Sequence, residues 1–168
     1  IDDLLAYSRV GTKGEPFKTV LSERVMRGVV DDLALAIREN EAEVTWEGLP
    51  ELPADESQLA QVFSNLVLNA IKFRGEDPPR VHVSARREGA EWVFAVQDNG
   101  IGIDPEYHDR VFGIFERLHE GTRYPGTGIG LAMVRKVVER HGGRVWLESE
   151  RGKGATFYFT LPAERSGT

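Results

Sequence analysis

Two pairs of alternating apolar stretches, each closed by a short glycine-bearing connector, limit what this chain can fold into. Val81 to Arg87 and Trp92 to Gln97 flank Glu88-Gly89-Ala90-Glu91. Arg144 to Glu150 and Ala155 to Leu161 flank Arg151-Gly152-Lys153-Gly154. A period of two marks half-buried strands, and connectors this short join only antiparallel neighbours. Phe17 to Leu21 and Glu43 to Glu47, the latter alternating around Val44 and Trp46, read as two further strands. A doubly wound parallel sheet has no place for so many hairpin connections. The expected class is α+β, a two-layer sandwich whose mixed, mostly antiparallel sheet is backed by helices.

The helices have their own signals. Ser22 is placed to N-cap a helix running to about Asn40, with Met26, Val29, Val30, Leu33 and Ile37 on one face. Asp55 with Gln58 three residues on has capping-box spacing. The helix from Glu56 to Phe73 carries Leu59, Val62, Phe63, Leu66, Val67, Ala70 and Ile71 as a core stripe. Asp104-Pro105 opens a short helix toward Phe112, and Gly128 to Arg140 forms another, stopped by Gly142-Gly143. Between them, about Glu116 to Gly126 has no clear period and reads as a mobile loop. Ile1 to Arg9 reads as the tail of a helix whose partner lies upstream, followed by a linker from Gly11 to Pro16. The division expected is residues 1–14 as helix tail and linker, 15–163 as one domain, and 164–168 as a polar tail.

Composition removes several functions. With 27 acidic against 21 basic residues the net charge is −6, so nucleic acid is disfavoured as a partner. A polyanionic ligand then needs a local positive site, because the global field does not help. The chain has no cysteine, which excludes disulfides, thiolate catalysis and zinc–sulfur sites. No apolar run approaches the roughly 20 residues of a membrane span, and no signal sequence is visible. No membrane contact is expected, and the chain reads as a piece of a longer cytoplasmic protein.

Three polar or glycine-bearing blocks stand in order. On the helix from Glu56, Asn65, Asn69 and Lys72 form a second stripe roughly opposite the Leu66/Val62 face, extended by Gln58 and Gln61. Amide oxygens are hard ligands suited to Mg²⁺ and lysine pairs with phosphate, although a solvated polar face would look similar. Asp98 ends a strand before Gly100 and Gly102. A carboxylate there can accept from an adenine amino group while the glycines admit close backbone approach, or the block is a turn. Its spacing fits neither an EF-hand nor a dinucleotide fingerprint. Gly126, Gly128 and Gly130 open a helix, exposing backbone N–H donors at its positive end, or forming a hinge. The lack of a following Gly-Lys-Ser/Thr excludes a P-loop. Arg117 and Arg123 sit in the loop where a terminal phosphate could be reached, and His141, at a helix C-terminus, reads as electrostatic.

Taken together these blocks resemble a known family. Asn65-x-x-x-Asn69-Ala70-x-Lys72-Phe73, Asp98-x-Gly100-x-Gly102, Phe112-x-x-Phe115-x-Arg117 and Gly126-x-Gly128-x-Gly130-Leu131 are similar in order and spacing to the N, G1, F and G2 boxes of sensor histidine kinases. The closing run Gly152 to Pro162 is similar to the family's last strand, and Glu116 to His119 with Glu139 to Gly143 resembles the phytochrome-related group. The resemblance implies a Bergerat-type fold holding ATP and Mg²⁺ beneath a lid. It implies Asn69 as the metal ligand, with Asn65 assisting near the phosphates and Lys72 contacting them. Phe73 would lie near ribose or base, and Asp98 would read adenine with Thr156 joining through water. The amides of Gly126, Thr127, Gly128, Ile129, Gly130 and Leu131 would hold the triphosphate.

The implied reaction is transfer of the ATP γ-phosphoryl to a histidine outside this chain, because no histidine here sits in a helical H box. The implied partners are the kinase's own phosphoacceptor dimerisation helices, whose end Ile1 to Arg9 resembles, and the receiver domain of a response regulator, the whole protein being a homodimer. Two other readings are a nucleotide-sensing module without transfer and a hydrolysing ATPase of the same fold. Hydrolysing relatives use a glutamate where Asn65 stands, and an amide is no general base.

Overall fold

The computed structural model describes residues 14–108, 110–113 and 130–164. Strands β1 (Lys18–Leu21), β2 (Glu43–Glu47), β3 (Glu51–Ala54), β4 (Arg80–Glu88), β5 (Glu91–Asp98), β6 (Val145–Ser149) and β7 (Ala155–Pro162) alternate with helices α1 (Ser22–Asp32), α2 (Ala34–Glu39), α3 (Glu56–Lys72) and α4 (Gly130–Arg140). Two short 3₁₀ turns, Pro105–Tyr107 and Arg110–Phe112, stand where one short helix was expected. The main sheet has the order β2-β4-β5-β7-β6, and β1 and β3 form a separate antiparallel pair. Only β2 with β4 is parallel. A parallel pair needs a crossover, and α3 is in it, which lays this helix over one sheet face.

Both expected hairpins are present. Glu88 pairs with Glu91 across a two-residue turn, and Ser149 pairs with Ala155. Strand alternation sends Val81, Val83, Phe94, Val96, Phe157, Phe159 and Leu147 toward the helices, where they are buried with the whole α3 stripe from Leu59 to Ile71. Phe63 of α3 meets Phe94 and Phe159 with ring centroids 6.1 and 6.2 Å away, while Phe94 and Phe159 stack at 4.8 Å. Removing each such ring from water contributes about 2–3 kcal/mol.

Three local expectations change. Ser22 is not an N-cap: it is the first helical residue, and its amide and hydroxyl both donate to the Pro50 carbonyl. The helix expected to run to Asn40 breaks at Leu33, whose φ of −96° and ψ of 11° interrupt the ladder between α1 and α2. The apolar face continues through the joint, because Val30, Leu33 and Ile37 still pack on the core. Strand β3 was not anticipated. It is four residues long and contains Pro53, which a two-stranded ladder tolerates.

Candidate functional site

Helix α3 is 17 residues long and carries the first block. Its core stripe fixes its rotation, so Asn65 and Asn69 come out half-buried and Lys72 exposed. Asn65 Nδ2 donates to the Gly130 carbonyl at 3.3 Å, joining mid-α3 to the first residue of α4. Among the described residues no group bonds the side chain of Asn69, the next turn on. Gln58, expected in the same outward sector, is buried instead, because the end of α4 covers it there. Lys72 closes the helix, and Phe73 is its C-cap.

The loop from Asp98 to Ile103 is held on both sides. Phe73's carbonyl accepts from Ile101 N–H at 3.0 Å, which ties the loop to the end of α3. Ser149 Oγ accepts from Ile103 N–H at 2.8 Å and donates to the Gly154 carbonyl at 2.7 Å, tying it to the β6–β7 turn. A Cβ on Gly100 would stand 2.5 Å from the Phe73 oxygen. Gly102 has φ +76°, and a Cβ there would stand 2.0 Å from the Glu150 carbonyl oxygen. These glycines therefore serve close approach of backbone to backbone as well as to any ligand. Gly102→Ala is expected to cost at least about 2 kcal/mol, read as a fall in Tm, since strain and collision with main chain cannot both relax.

Asp98 is the charged group of this loop. Its Oδ1 accepts from Gly100 N–H at 2.9 Å and from Ala155 N–H at 3.1 Å, and among the described residues nothing donates to Oδ2. Burial raises its pKa above the ordinary carboxylate value, and these two amide bonds offset only part of that. Asn99, which the sequence did not single out, accepts from Arg80 N–H at 2.7 Å and donates to the Pro78 carbonyl at 3.1 Å, bracing the loop from the β4 side.

Thr156 is not where the resemblance would put it. It pairs with Gln97, one residue off the Asp98 register, and alternation sends both to the sheet face away from the helices. Asp98 shares the helix side with Phe94 and Val96, and the β7 group beside it is the amide of Ala155. Counting by two from the buried Phe157 would have identified Ala155 from sequence alone.

Gly130 and Leu131 begin α4, the first exposed and the second packed on the core. Gly126, Thr127, Gly128 and Ile129 lie outside the described residues, as do Ile1 to Arg9, Phe115, Arg117, His119, Arg123 and the end of the chain after Glu164. His141 follows the last residue of α4 and bonds one of that helix's last carbonyls. It is buried, its Nε2 accepts from Asp55 N–H at 3.0 Å and its Nδ1–H donates to the Val137 carbonyl at 2.8 Å, so both nitrogens of a neutral ring are used. Among the described residues, no group of three or more histidine, aspartate or glutamate side chains could hold a metal.

A helix with an amide stripe, a carboxylate loop docked on its C-cap and a second helix start bonded to its middle thus converge. Residues 54–165 match the family described as histidine kinase-, DNA gyrase B- and HSP90-like ATPases. The chain belongs to this family. It is a histidine kinase-type catalytic domain, and ATP is the nucleotide its family uses. Cyanobacterial phytochrome A of Nostoc sp. is 49% identical over 162 residues, 96% of this chain and 21% of that protein. Full-length ShkA, solved in complex with AMPPNP, superposes with a TM-score of 0.82 at 29% identity over 99% of this chain and 36% of that one. The catalytic domain of histidine kinase ThkA superposes with a TM-score of 0.77 at 26% identity, over 89% of this chain and 97% of that one. The chain spans from about a fifth to about a third of the length of the curated relatives it matches. The two-layer architecture and the likeness to the phytochrome-related group are both borne out.

Proposed function

We propose that this kinase domain donates the γ-phosphoryl of ATP to a histidine outside residues 1–168, within a two-component system. The observation that carries this reading is the Asn65–Gly130 bond, which sets an amide of the N box against the start of the G2 helix. With its Nδ2 so engaged, Asn65 presents a carbonyl oxygen, and a carboxamide there has no carboxylate to activate water. Transfer to another acceptor is then favoured over hydrolysis.

The donor chemistry fits the implied cofactors. Asn69 would hold Mg²⁺ through its side-chain oxygen, with Asn65 beside it, and phosphate oxygens would complete the shell, as suits an ion that keeps few protein ligands. Lys72, one turn on, would pair with phosphate, and Phe73 would lie against ribose or base. Asp98 Oδ2 would accept from the adenine amino group, Oδ1 being held by two amides. Gly100 and Gly102 would keep that loop in register, and the amides of residues 126–131 would cradle the phosphates. Bound ATP supplies the phosphoryl group and Mg²⁺ neutralises its charge, so the protein's work is positioning and electrostatics. Residues 15–163 would act as the catalytic unit, with 1–14 as helix tail and linker and 164–168 as a polar tail.

The acceptor would sit on dimerisation helices of the same protein, making the whole a homodimer, and the compartment would be the cytoplasm. Among the described residues, no helix is long and apolar enough to cross a membrane. ThkA has been solved in complex with the response regulator TrrA, which supports a receiver domain as the next phosphoryl acceptor. The reading predicts Mg²⁺-dependent binding of a non-hydrolysable ATP analogue, weakened at least tenfold by Asn69→Ala in calorimetry. It also predicts phosphorylation of a supplied acceptor hairpin. Steady ATP turnover in water alone would overturn it in favour of a hydrolase.

A further inference from the structure

A polar network of several bonds lies away from the candidate nucleotide site, where the start of α3 meets the end of α4. Arg140, the last residue of α4, reaches three oxygens with its fork: Asp55 Oδ2 at 2.8 Å, Gln58 Oε1 at 2.7 Å and the Glu15 carbonyl at 2.8 Å. Its guanidinium also lies 4.5 Å from the centre of the Phe17 ring, which stacks on His141 at 4.3 Å. Glu15 N–H returns a bond to Asp55 Oδ2 at 2.8 Å. The segment Gly14–Phe17, which precedes every described element, is thus fastened through main chain and ring to the start of α3 and the end of α4.

Capping α3 does not require this. Gln58 N–H and Ser57 Oγ already satisfy Asp55 Oδ1, and Asp55's own N–H goes to His141. The fork spends one arm on a carbonyl outside any helix or strand, and a planar fork with several partners fixes direction as well as distance. Meanwhile Asn65 ties the middle of α3 to the start of α4 at Gly130. A helix pair bonded at these two points carries Asn65, Asn69 and Lys72 together with the segment Gly14–Phe17.

We propose that Arg140 is a positioning residue for phosphotransfer. It fixes how Gly14–Phe17 lies against the helix pair, and so the orientation of the donor site toward an acceptor histidine attached through that segment. This rests on the donor reading above. Misplacement of reacting atoms by about 1 Å costs on the order of a hundredfold in rate, so loosening this joint should show in transfer between linked parts while nucleotide binding stays intact.

The test uses the natural protein with its own upstream residues, as wild type, Arg140→Gln and Glu15→Pro, the last replacing the N–H donated to Asp55 by a ring carbon. Three quantities are compared: affinity for an ATP analogue, transfer to a separately supplied acceptor hairpin, and transfer to the protein's own histidine. The first two should stay within about twofold of wild type, and the third should fall at least tenfold in both variants. Linked transfer that is unchanged, or that falls only in step with the other two, would overturn the positioning role. If Arg140→Gln does not fold, Glu15→Pro decides by the same criteria. If neither folds, the segment is a structural strut and the proposal fails. Absence of transfer by the wild type to either acceptor would overturn the donor reading and this proposal with it, whereas normal wild-type transfer with unaffected variants overturns this proposal alone.

Discussion

Asp98→Ala is expected to weaken binding of an ATP analogue by on the order of a hundredfold, with the fold intact. The carboxylate would give adenine a charge-assisted hydrogen bond in a half-buried site, a contribution of about 2–3 kcal/mol, and alanine also frees the amides of Gly100 and Ala155 that hold the loop. Asp98→Asn separates the two effects. Its Oδ1 still accepts from both amides, but its Nδ2 is a donor facing a donor, so binding is lost while the loop stays fastened.

The raised pKa of Asp98, caused by burial, adds a signed test. A carboxyl whose folded pKa lies above its unfolded value costs no stability at low pH. It destabilises the folded state as pH rises from the unfolded value, about 3.9, through the folded one. The ligand-free Asp98→Asn protein should therefore melt above wild type at pH 7, and the difference should vanish near pH 4. Nucleotide binding by the wild type should weaken on acidification at a pH above the ordinary carboxylate range, because protonation turns the acceptor into a donor. A variant that melts higher yet does not bind would show a binding group kept at a cost in stability.

Much of this was legible in the residues, for reasons specific to each element. The α3 stripe has seven apolar positions at helical spacing, and all seven are buried. The hairpins announced themselves by alternation and by Gly89, whose φ of +62° closes the tight turn. What the sequence hid depends on contacts between distant residues. Ser22 looked like a cap because its type is right, but the Pro50 carbonyl claims its hydroxyl. Asp55 and Gln58 looked like a reciprocal capping box, and only half of it forms. Asp55 does accept from Gln58 N–H, while the Gln58 side chain turns to Arg140, 82 residues on. Thr156 was assigned by likeness of pattern, and a one-residue offset in a strand exchanges the two faces of the sheet.

Asp55→Asn is the substitution expected to cost most among the polar residues, about 3 kcal/mol at pH 7. Asparagine keeps an oxygen for Gln58 N–H and Ser57 Oγ, but it sets an amide donor against the Glu15 N–H and the Arg140 guanidinium, in a side chain with no solvent exposure. Two bonds are lost, one of them charged, and the donors are left facing each other. For a chain of this size that cost lowers Tm by about 6–12 °C. Burial alone would raise the Asp55 pKa, yet the bonds from Gln58, Ser57, Glu15 and Arg140 outweigh it and hold the pKa below the ordinary value. The stability that ionised Asp55 contributes is therefore complete above its unfolded pKa, about 3.9, and is lost as pH falls through the lower folded value. The gap in Tm between wild type and Asp55→Asn should be flat from pH 7 to about pH 5 and should narrow only below about pH 4. A gap already closing at pH 6 would mean that another titrating group governs the joint. Asp55 and Asp98 thus make a matched pair of tests, one carboxylate held ionised by four donors and the other pushed toward its neutral form by burial, with opposite slopes of stability against pH.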